Sequence, residues 1–348
     1  MYNIGAIGYG GMAVYHHKKI LKPDNVRFTA AYDVNPEKLE AAEKNGLKIY
    51  KTLEGLLADR EIDIILVATP NDSHKELSIH AMRAGKHVIC EKPVALNTEQ
   101  LEEMIAESVA NKVVFSVHQN RRMDKDFKII QKIYNDNTLG KVFRIESRVQ
   151  GSRGIADTWR RQKAHGGGML YDWGVHLIDQ LLHMIYSRVV SVFAEFQYIS
   201  QNEVDDNFRL TLTFKNGISA LVEIGTCNFI MHPIWYMCGE KGTAQIDYWN
   251  LEGRISQLIE NDIKWENEIP STLAGPSITL APRAGDTVKE LPLPGAEVDE
   301  GIFYRNYIAA VEGREDLFVM PNEIKRVMRI IDTAFMSESV KQVIQCEI

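Results

Sequence analysis

Asp172 and His176 stand four residues apart in Gly166-Gly167-Gly168-Met169-Leu170-Tyr171-Asp172-Trp173-Gly174-Val175-His176. If this stretch is helical, the i,i+4 spacing stacks a carboxylate and an imidazole on one face, one turn apart. Three glycines give that helix a flexible approach. The pair then forms a candidate acid/base device, or else one polar stripe of an amphipathic helix. A second candidate is Lys92, in Glu91-Lys92-Pro93. Proline fixes the local backbone and restricts the residue before it. A lysine held there can bond a reacting oxygen and stabilise a developing alkoxide; the alternative is an exposed turn lysine.

The third pattern is Gly8-Tyr9-Gly10-Gly11-Met12-Ala13, which fits G-x-G-x-x-G/A at the end of a first strand. Gly8 allows the tight turn, Gly10 lets backbone approach a pyrophosphate, and Ala13 lets helix and strand pack closely. Gly11 and Met12 open the helix, whose free N–H groups and dipole favour an anion. Asp33 follows about twenty residues later, where a carboxylate binds ribose hydroxyls and repels a 2′-phosphate. No arginine follows in Val34-Asn35-Pro36, so NAD is expected in preference to NADP. Asp33 could instead cap the helix that Pro36 begins.

These residues need a scaffold. Strand patterns at 3–7, 27–32, 63–68, 87–90 and 113–117 alternate with helical patterns at 12–21, 36–45, 53–58, 73–84 and 98–111. Strand–helix repetition of this kind means a doubly wound parallel sheet, whose carboxyl-terminal strand edge binds ligands. Lys92 falls on that edge. After residue 120 the pattern changes. A helix at 124–135, a strand at 142–150 and the Asp172/His176 helix, running to about 185, are followed by strands at 189–198, 208–214, 218–226, 235–239 and 244–248. Lys215-Asn216-Gly217 is a hairpin turn. The expected architecture is α/β: a Rossmann-type unit over 1–120, then an α+β unit over 121–348 with a large, mostly antiparallel open sheet. One sheet face should cover helices, and the other, still fairly apolar, a partner subunit. Residues 261–300 look irregular, and helices at 302–312 and 322–345 close the chain.

The chain has 348 residues and a net charge of −7, with 45% hydrophobic and 25% charged residues. Those are proportions of a soluble globular protein of two domains. Acidic balance without a basic stripe excludes a nucleic-acid footprint. No apolar run is long enough to span a bilayer, and the start shows no secretory pattern. Cys90, Cys227, Cys238 and Cys346 lack paired metal spacing and suggest reduced thiols in a cytoplasmic protein. A metal held by Asp172, His176 and His165 lacks a third ligand at metal-site spacing, so no metal is expected.

In motif order the chain resembles the Gfo/Idh/MocA oxidoreductases, which include glucose–fructose oxidoreductase and inositol dehydrogenase. The Gly8–Ala13 turn, Glu91-Lys92-Pro93 and the Asp172-x-x-x-His176 helix carry the likeness, joined by Ala68-Thr69-Pro70-Asn71 with His74 and by Asn120-Arg121-Arg122. Members often have phenylalanine before the aspartate where this chain has Met123-Asp124. The resemblance implies an N-terminal Rossmann domain, a C-terminal open-sheet domain, and homodimers or homotetramers built through that sheet. It also implies hydride transfer between NAD(P) and a secondary hydroxyl of a sugar, glycoside or cyclitol. Lys92, Asp172 and His176 carry over as catalytic, Thr69, Pro70, Asn71, His74 and Glu91 as cofactor contacts, and Arg122 as a substrate contact.

Alcohol oxidation needs a base and a placed hydride acceptor. His176 is expected as the base, Asp172 as its orienter, and Lys92 on the reacting oxygen; Lys92 as base is the alternative. Trp159, Arg160, Lys163 and His165, just before the glycines, are expected to line the substrate side, with Trp159 stacking on a ring and the cations meeting hydroxyls or an anionic group. Two competing functions use the same residues: a redox-neutral NAD-dependent glycosidase and a non-catalytic dinucleotide sensor.

Overall fold

The computed structural model describes residues 1–21, 25–200, 203–259, 271–273, 275, 276 and 287–348. Most of the segment expected to be irregular therefore lies outside the described residues. Its described end contains a strand, which hydrophobic alternation did not announce.

The first sheet contains β1 (Tyr2–Ile7), β2 (Val26–Tyr32), β3 (Lys48–Tyr50), β4 (Ile64–Val67), β5 (His87–Cys90) and β6 (Phe115–Val117). Its order is β3-β2-β1-β4-β5-β6, with every pair parallel. Between the strands run α1 (Gly11–Tyr15), α2 (Pro36–Lys44), α3 (Leu53–Ala58), α4 (His74–Arg83) and α5 (Thr98–Ala110). All four residues of β4 are fully buried, as a strand covered by helices on both faces requires. Strand order reverses between β1 and β4, so the loops after β1, β4 and β5 diverge around a crevice. Those loops carry Gly8–Gly11, Thr69–Asn71 and Lys92.

The second sheet is built from β7 (Val142–Gln150), β8 (Val189–Gln197), β9 (Asn207–Phe214), β10 (Ser219–Gly225), β11 (Trp235–Gly239), β12 (Gly242–Ile246) and β13 (Gly253–Leu258). A small pair, β14 (Ser271–Thr272) and β15 (Gly275–Pro276), stands apart from it; β16 (Val288–Leu291) and β17 (Ile344–Gln345) form its two edges. The order is β16-β13-β12-β11-β7-β10-β9-β8-β17. Only β7 with β10 is parallel; the other pairs are antiparallel. Helices α6 (Lys125–Asn135), α7 (Val175–Met184), α8 (Ile302–Val311) and α9 (Pro321–Val340) accompany it. Along β9, Phe208, Leu210, Leu212 and Phe214 are buried while Arg209, Thr211 and Thr213 face outward.

One expectation is corrected here. The last helix does not run to 345: it stops at Val340, Lys341 takes a left-handed turn at φ 54°, and the chain ends as the edge strand β17. The outward sheet face carries Phe193, Leu221 and Tyr236 alongside charged neighbours. Glu146 bonds Arg144 and Arg148, and Glu223 lies 3.3 Å from Arg148 and 3.7 Å from Arg209.

The closing helices also reach the first sheet. The Tyr307 hydroxyl donates to Val114 O at 3.1 Å, Ser116 Oγ to Val319 O at 2.9 Å, and Thr98 N to the Asp332 carboxylate at 2.9 Å. The two sheets thus share a helical layer.

Candidate active site

A cleft of about 760 Å³ follows the crevice of the first sheet. Gly8, Gly10, Gly11, Met12 and Asp33 line one end; Thr69, Pro70 and Asn71 line the middle; Glu91, Lys92 and Asp172 line the other end with Trp159, Arg160 and His165. Gly8 is a required glycine: its φ is +85°, and a Cβ would sit 2.7 Å from Ala68 O. A Cβ on Gly10 or Gly11 would project into open space, so the backbone there is bare toward the cleft. Asp33 does not cap α2; Asn35 does, accepting from Glu37 N. Asp33 instead accepts from Tyr9 N at 2.7 Å and Asn35 N at 2.8 Å, which fixes the carboxylate at the end of β2. Lys38, unnoticed in the sequence, lines the same end. This cradle fits a dinucleotide: bare backbone at a helix start, and a pinned carboxylate at a strand end.

Lys92 closes the cleft. Its Nζ donates to Asp172 O at 3.0 Å and to Asp172 Oδ1 at 3.2 Å, and the side chain is 12% exposed. The Lys92–Pro93 peptide is cis. Arg160 Nε lies 3.4 Å from the same Asp172 oxygen. Burial alone would raise the Asp172 carboxyl, but the Lys92 and Arg160 charges outweigh it and hold the group below its ordinary value.

The helix carrying Asp172 is not a plain α-helix. Leu170–Gly174 form a π turn, and α7 starts at Val175. Such turns bond i to i+5 and often mark functional sites. Asp172 lines the cleft, while His176 is 4% exposed and lines neither this cleft nor the second one described below. Burial first, then the Lys92 and Arg121 charges, push the imidazole well below its ordinary range, and its Nδ1 has no partner among the described residues. The imidazole is therefore held neutral, with an open nitrogen to meet a hydroxyl.

The glycines before this helix provide room rather than the expected flexibility. A Cβ would lie 2.3 Å from Leu96 Cδ2 at Gly166, 2.3 Å from Arg160 O at Gly167, and 2.2 Å from Asp205 Oδ1 at Gly168. Asn71 Nδ2 donates to Gly166 O at 2.8 Å, so the Thr69–Asn71 loop is tied to the segment that leads into the Asp172 helix. Asp205 receives the helix start: its Oδ2 accepts from Leu170 N at 2.7 Å and its carbonyl from Met169 N at 3.0 Å. Burial pushes its carboxyl up to about 8.

Behind Lys92 sits a fully enclosed polar array. Glu91 Oε1 accepts from His16 Nε2 at 2.7 Å and His118 Nδ1 at 2.9 Å, and His16 Nδ1 meets the Tyr304 hydroxyl at 2.5 Å. Burial lowers His16 to about 4, whereas the two imidazoles hold Glu91 well below its usual range against burial. A neutral His16 satisfies every contact, accepting from Tyr304 and donating to Glu91. This is the one trio of possible ligand atoms gathered among the described residues, but separations of 2.7 and 2.9 Å are those of hydrogen bonds. Asp172, His176 and His165 are not brought together; His165 Nδ1 faces Asp72 at 3.0 Å.

Three expected contacts are displaced. Arg122 is 2% exposed, its guanidinium forked onto Asp179 at 2.8 and 2.7 Å and bonded to Glu323 at 2.8 Å; its donors are committed to a buried ion pair. His74 lies beneath the cleft, its ring nitrogens on Pro93 O and Thr69 O at 2.8 and 2.9 Å, and shapes both loops from below. Lys163 is exposed and lines neither cleft. Trp159 stands under the Arg160 guanidinium at 4.6 Å, on the nucleotide side.

A second cleft, of about 620 Å³, meets the first at Arg160 and Asp172. Its walls come from the end of β7, the loop after it, the end of β10, and Trp173, Met231 and Tyr248. Sequence spacing gave no signal for these walls, which only the β7–β10 pairing assembles.

Sequence models of one family cover more than half of this chain. The oxidoreductase family, NAD-binding Rossmann fold, matches residues 2–119, and the GFO/IDH/MocA C-terminal domain matches residues 127–245. The chain belongs to the Gfo/Idh/MocA oxidoreductases. The family's Rossmann unit is a nicotinamide-dinucleotide binder, in agreement with the cradle. An NAD-binding protein from Listeria innocua has a crystal structure that superposes with a TM-score of 0.90 at 40% identity, covering 99% of this chain and 96% of that one. Myo-inositol 2-dehydrogenase of Thermotoga maritima is 31% identical over 63% of this chain and 67% of its own length. The scyllo-inositol 2-dehydrogenase (NADP(+)) of Bacillus subtilis is 26% identical over 99% of this chain and 96% of its own. Matches to two uncharacterized oxidoreductases of Schizosaccharomyces pombe span only 50% and 58% of those relatives' lengths.

Proposed function

We propose that the protein is a cytoplasmic dehydrogenase that moves a hydride between NAD and a secondary hydroxyl of a sugar, glycoside or cyclitol. The observation that carries this reading is the Lys92–Asp172 pair at the junction of the two clefts. The inositol dehydrogenases among its relatives support the substrate class. NAD is favoured over NADP because Asp33 faces the ribose end; Lys38 beside it is the counterweight. Assembly into homodimers or homotetramers through the second sheet belongs to the same proposal, its outer face offering both ion pairs and apolar side chains such as Phe193, Leu221 and Tyr236. No described helix is long and apolar enough to cross a membrane.

When bound, the nicotinamide would supply the hydride acceptor or donor. Gly10, Gly11 and Met12 would hold the pyrophosphate, Asp33 the ribose, and Thr69, Pro70 and Asn71 the cleft wall. Lys92 Nζ donates to the reacting oxygen and stabilises its developing charge. Asp172, kept ionised by two cations, aims Lys92 and leaves an acceptor for a neighbouring substrate hydroxyl. His176, kept neutral, takes the hydroxyl proton with Lys92 in the relay.

The test is nicotinamide absorbance with NAD or NADP and a panel of sugars, glycosides, sugar acids, sugar phosphates and inositols. NADH formation with one class, reduced by orders of magnitude in His176→Ala while NAD still binds, is the expected result. Aglycone release without net NADH would replace the reading with a redox-neutral glycosidase; NAD binding with no chemistry on any compound would leave a sensor.

A further inference from the structure

The second cleft has an unbalanced charge. Its lining includes Arg153 and Arg160 but a single carboxylate, Asp172. That carboxylate is already committed, to Lys92 at 3.2 Å and Arg160 at 3.4 Å. Arg153 has no ion-pair partner among the described residues, and no acid lines the cleft beside it. The segment 151–165 holds Arg153, Arg160, Arg161 and Lys163 against Asp157, a net +3 in a chain whose total is −7; of these cations Arg153 and Arg160 line the cleft, while Arg161 pairs with Asp157. Arg121, stacked on Trp173 at 4.0 Å behind the wall, is paired with Asp124. Arg153 is exposed, so its guanidinium can exchange water for a ligand, and its forked donors suit planar or tetrahedral oxyanions. Trp173, Met231 and Tyr248 supply the apolar surface that a ring or carbon chain would cover.

We propose that the second cleft takes an anionic sugar or polyol, one carrying a carboxylate or a phosphoester. Arg153 and Arg160 receive the anionic end, and the reacting carbinol points toward Lys92 and Asp172. The proposal rests on the dehydrogenase reading of the same site and narrows its substrate. Inositols and free hexoses, which lack an anionic end, leave Arg153 unused.

Binding tests it without requiring turnover. The full chain saturated with NADH is titrated with gluconate and glucuronate (carboxylate arm), glucose 6-phosphate (phosphate arm), and glucose and myo-inositol (neutral arm), following nicotinamide fluorescence and heat. One anionic arm should bind at least tenfold tighter than the neutral arm and weaken as salt rises. Which arm binds identifies the group. Arg153→Gln, at an exposed position that leaves the core intact, should lose that tenfold preference while NADH affinity and neutral-sugar affinity stay unchanged. Equal or tighter binding of neutral compounds, no saturable binding in any arm, or an unaltered anion affinity in Arg153→Gln would each overturn the proposal. The dehydrogenase reading fails separately, if an anion binds and no compound yields NADH.

Discussion

Replacing Lys92 with methionine removes one charge and keeps the stem, and two separable effects follow. The first is chemical. Nζ is the donor placed to meet developing negative charge; deleting one such donor costs about 10²–10³ in kcat, or about 3–4 kcal/mol. The second is electrostatic. At 3.2 Å and an effective dielectric of about 20, the gross Lys92–Asp172 attraction is about 5 kcal/mol. Burial opposes it and Arg160, more exposed, only partly replaces it. Without Lys92, burial gains weight and the Asp172 carboxyl rises. The sign is then set: a carboxylate depressed in the native protein functions down to low pH, and one released from its cation protonates earlier as pH falls. The acid limb of kcat/KM should therefore move to higher pH in Lys92→Met. Lys92→Arg separates the two effects, since it restores the charge but not the compact donor: the acid limb should return while kcat stays low. Steady-state kinetics from pH 5 to 9, with NAD affinity measured independently, provide the assay. A kcat within tenfold of the parent, or an unmoved acid limb in Lys92→Met, would refute the reasoning.

Three further outcomes are expected. Gly168→Ala, at φ +106° with a Cβ 2.2 Å from Asp205 Oδ1, should cost about 2 kcal/mol or more from the left-handed backbone and the displaced carboxylate, read as a lower Tm; an unchanged Tm and kcat would contradict it. Asp205 titrates near 8 in the fold against about 4 unfolded, so its contribution is fully present below pH 4 and is lost as pH rises through 8. Stability of the parent relative to Asp205→Asn should decline over that window in urea unfolding, and parallel curves would exclude the assignment. Asp33→Asn keeps an acceptor for Tyr9 N–H while removing the charge, and should raise the NADP/NAD ratio of kcat/KM at least tenfold; an unchanged ratio would move cofactor choice to Lys38.

Local pattern made the first sheet legible. Gly8–Ala13 and the continuously apolar β4 each state their structure within a few neighbours, and Lys92 follows from its place at a strand end. The open sheet was legible from alternation along β9 and β10, but its short edges β16 and β17, like the first sheet's edge β3, carry too few residues to alternate. Long-range partners were illegible. Nothing near Arg122 reveals Asp179, 57 residues away, and nothing near His16 reveals Tyr304. Helical periodicity placed Asp172 and His176 on one helix but did not announce the π turn over Leu170–Gly174, nor Asp205 as the acceptor at its start. Arg153 stands in no motif, and only the pairing of β7 with β10 makes it part of a wall.

The Tyr304 contact with His16 has a temporal consequence. A chain emerging from the ribosome completes all six strands of the nucleotide sheet well before residue 304 appears. Until then the Glu91 carboxylate and its two imidazoles lack their lid and lie open to water, and the strand-end lysine beside them rests on an unsealed floor. Helix α8 is therefore a late keystone. The half that binds the dinucleotide matures only once residues 302–311 have been made, so a chain terminated before them would hold the nucleotide motif without its finished support.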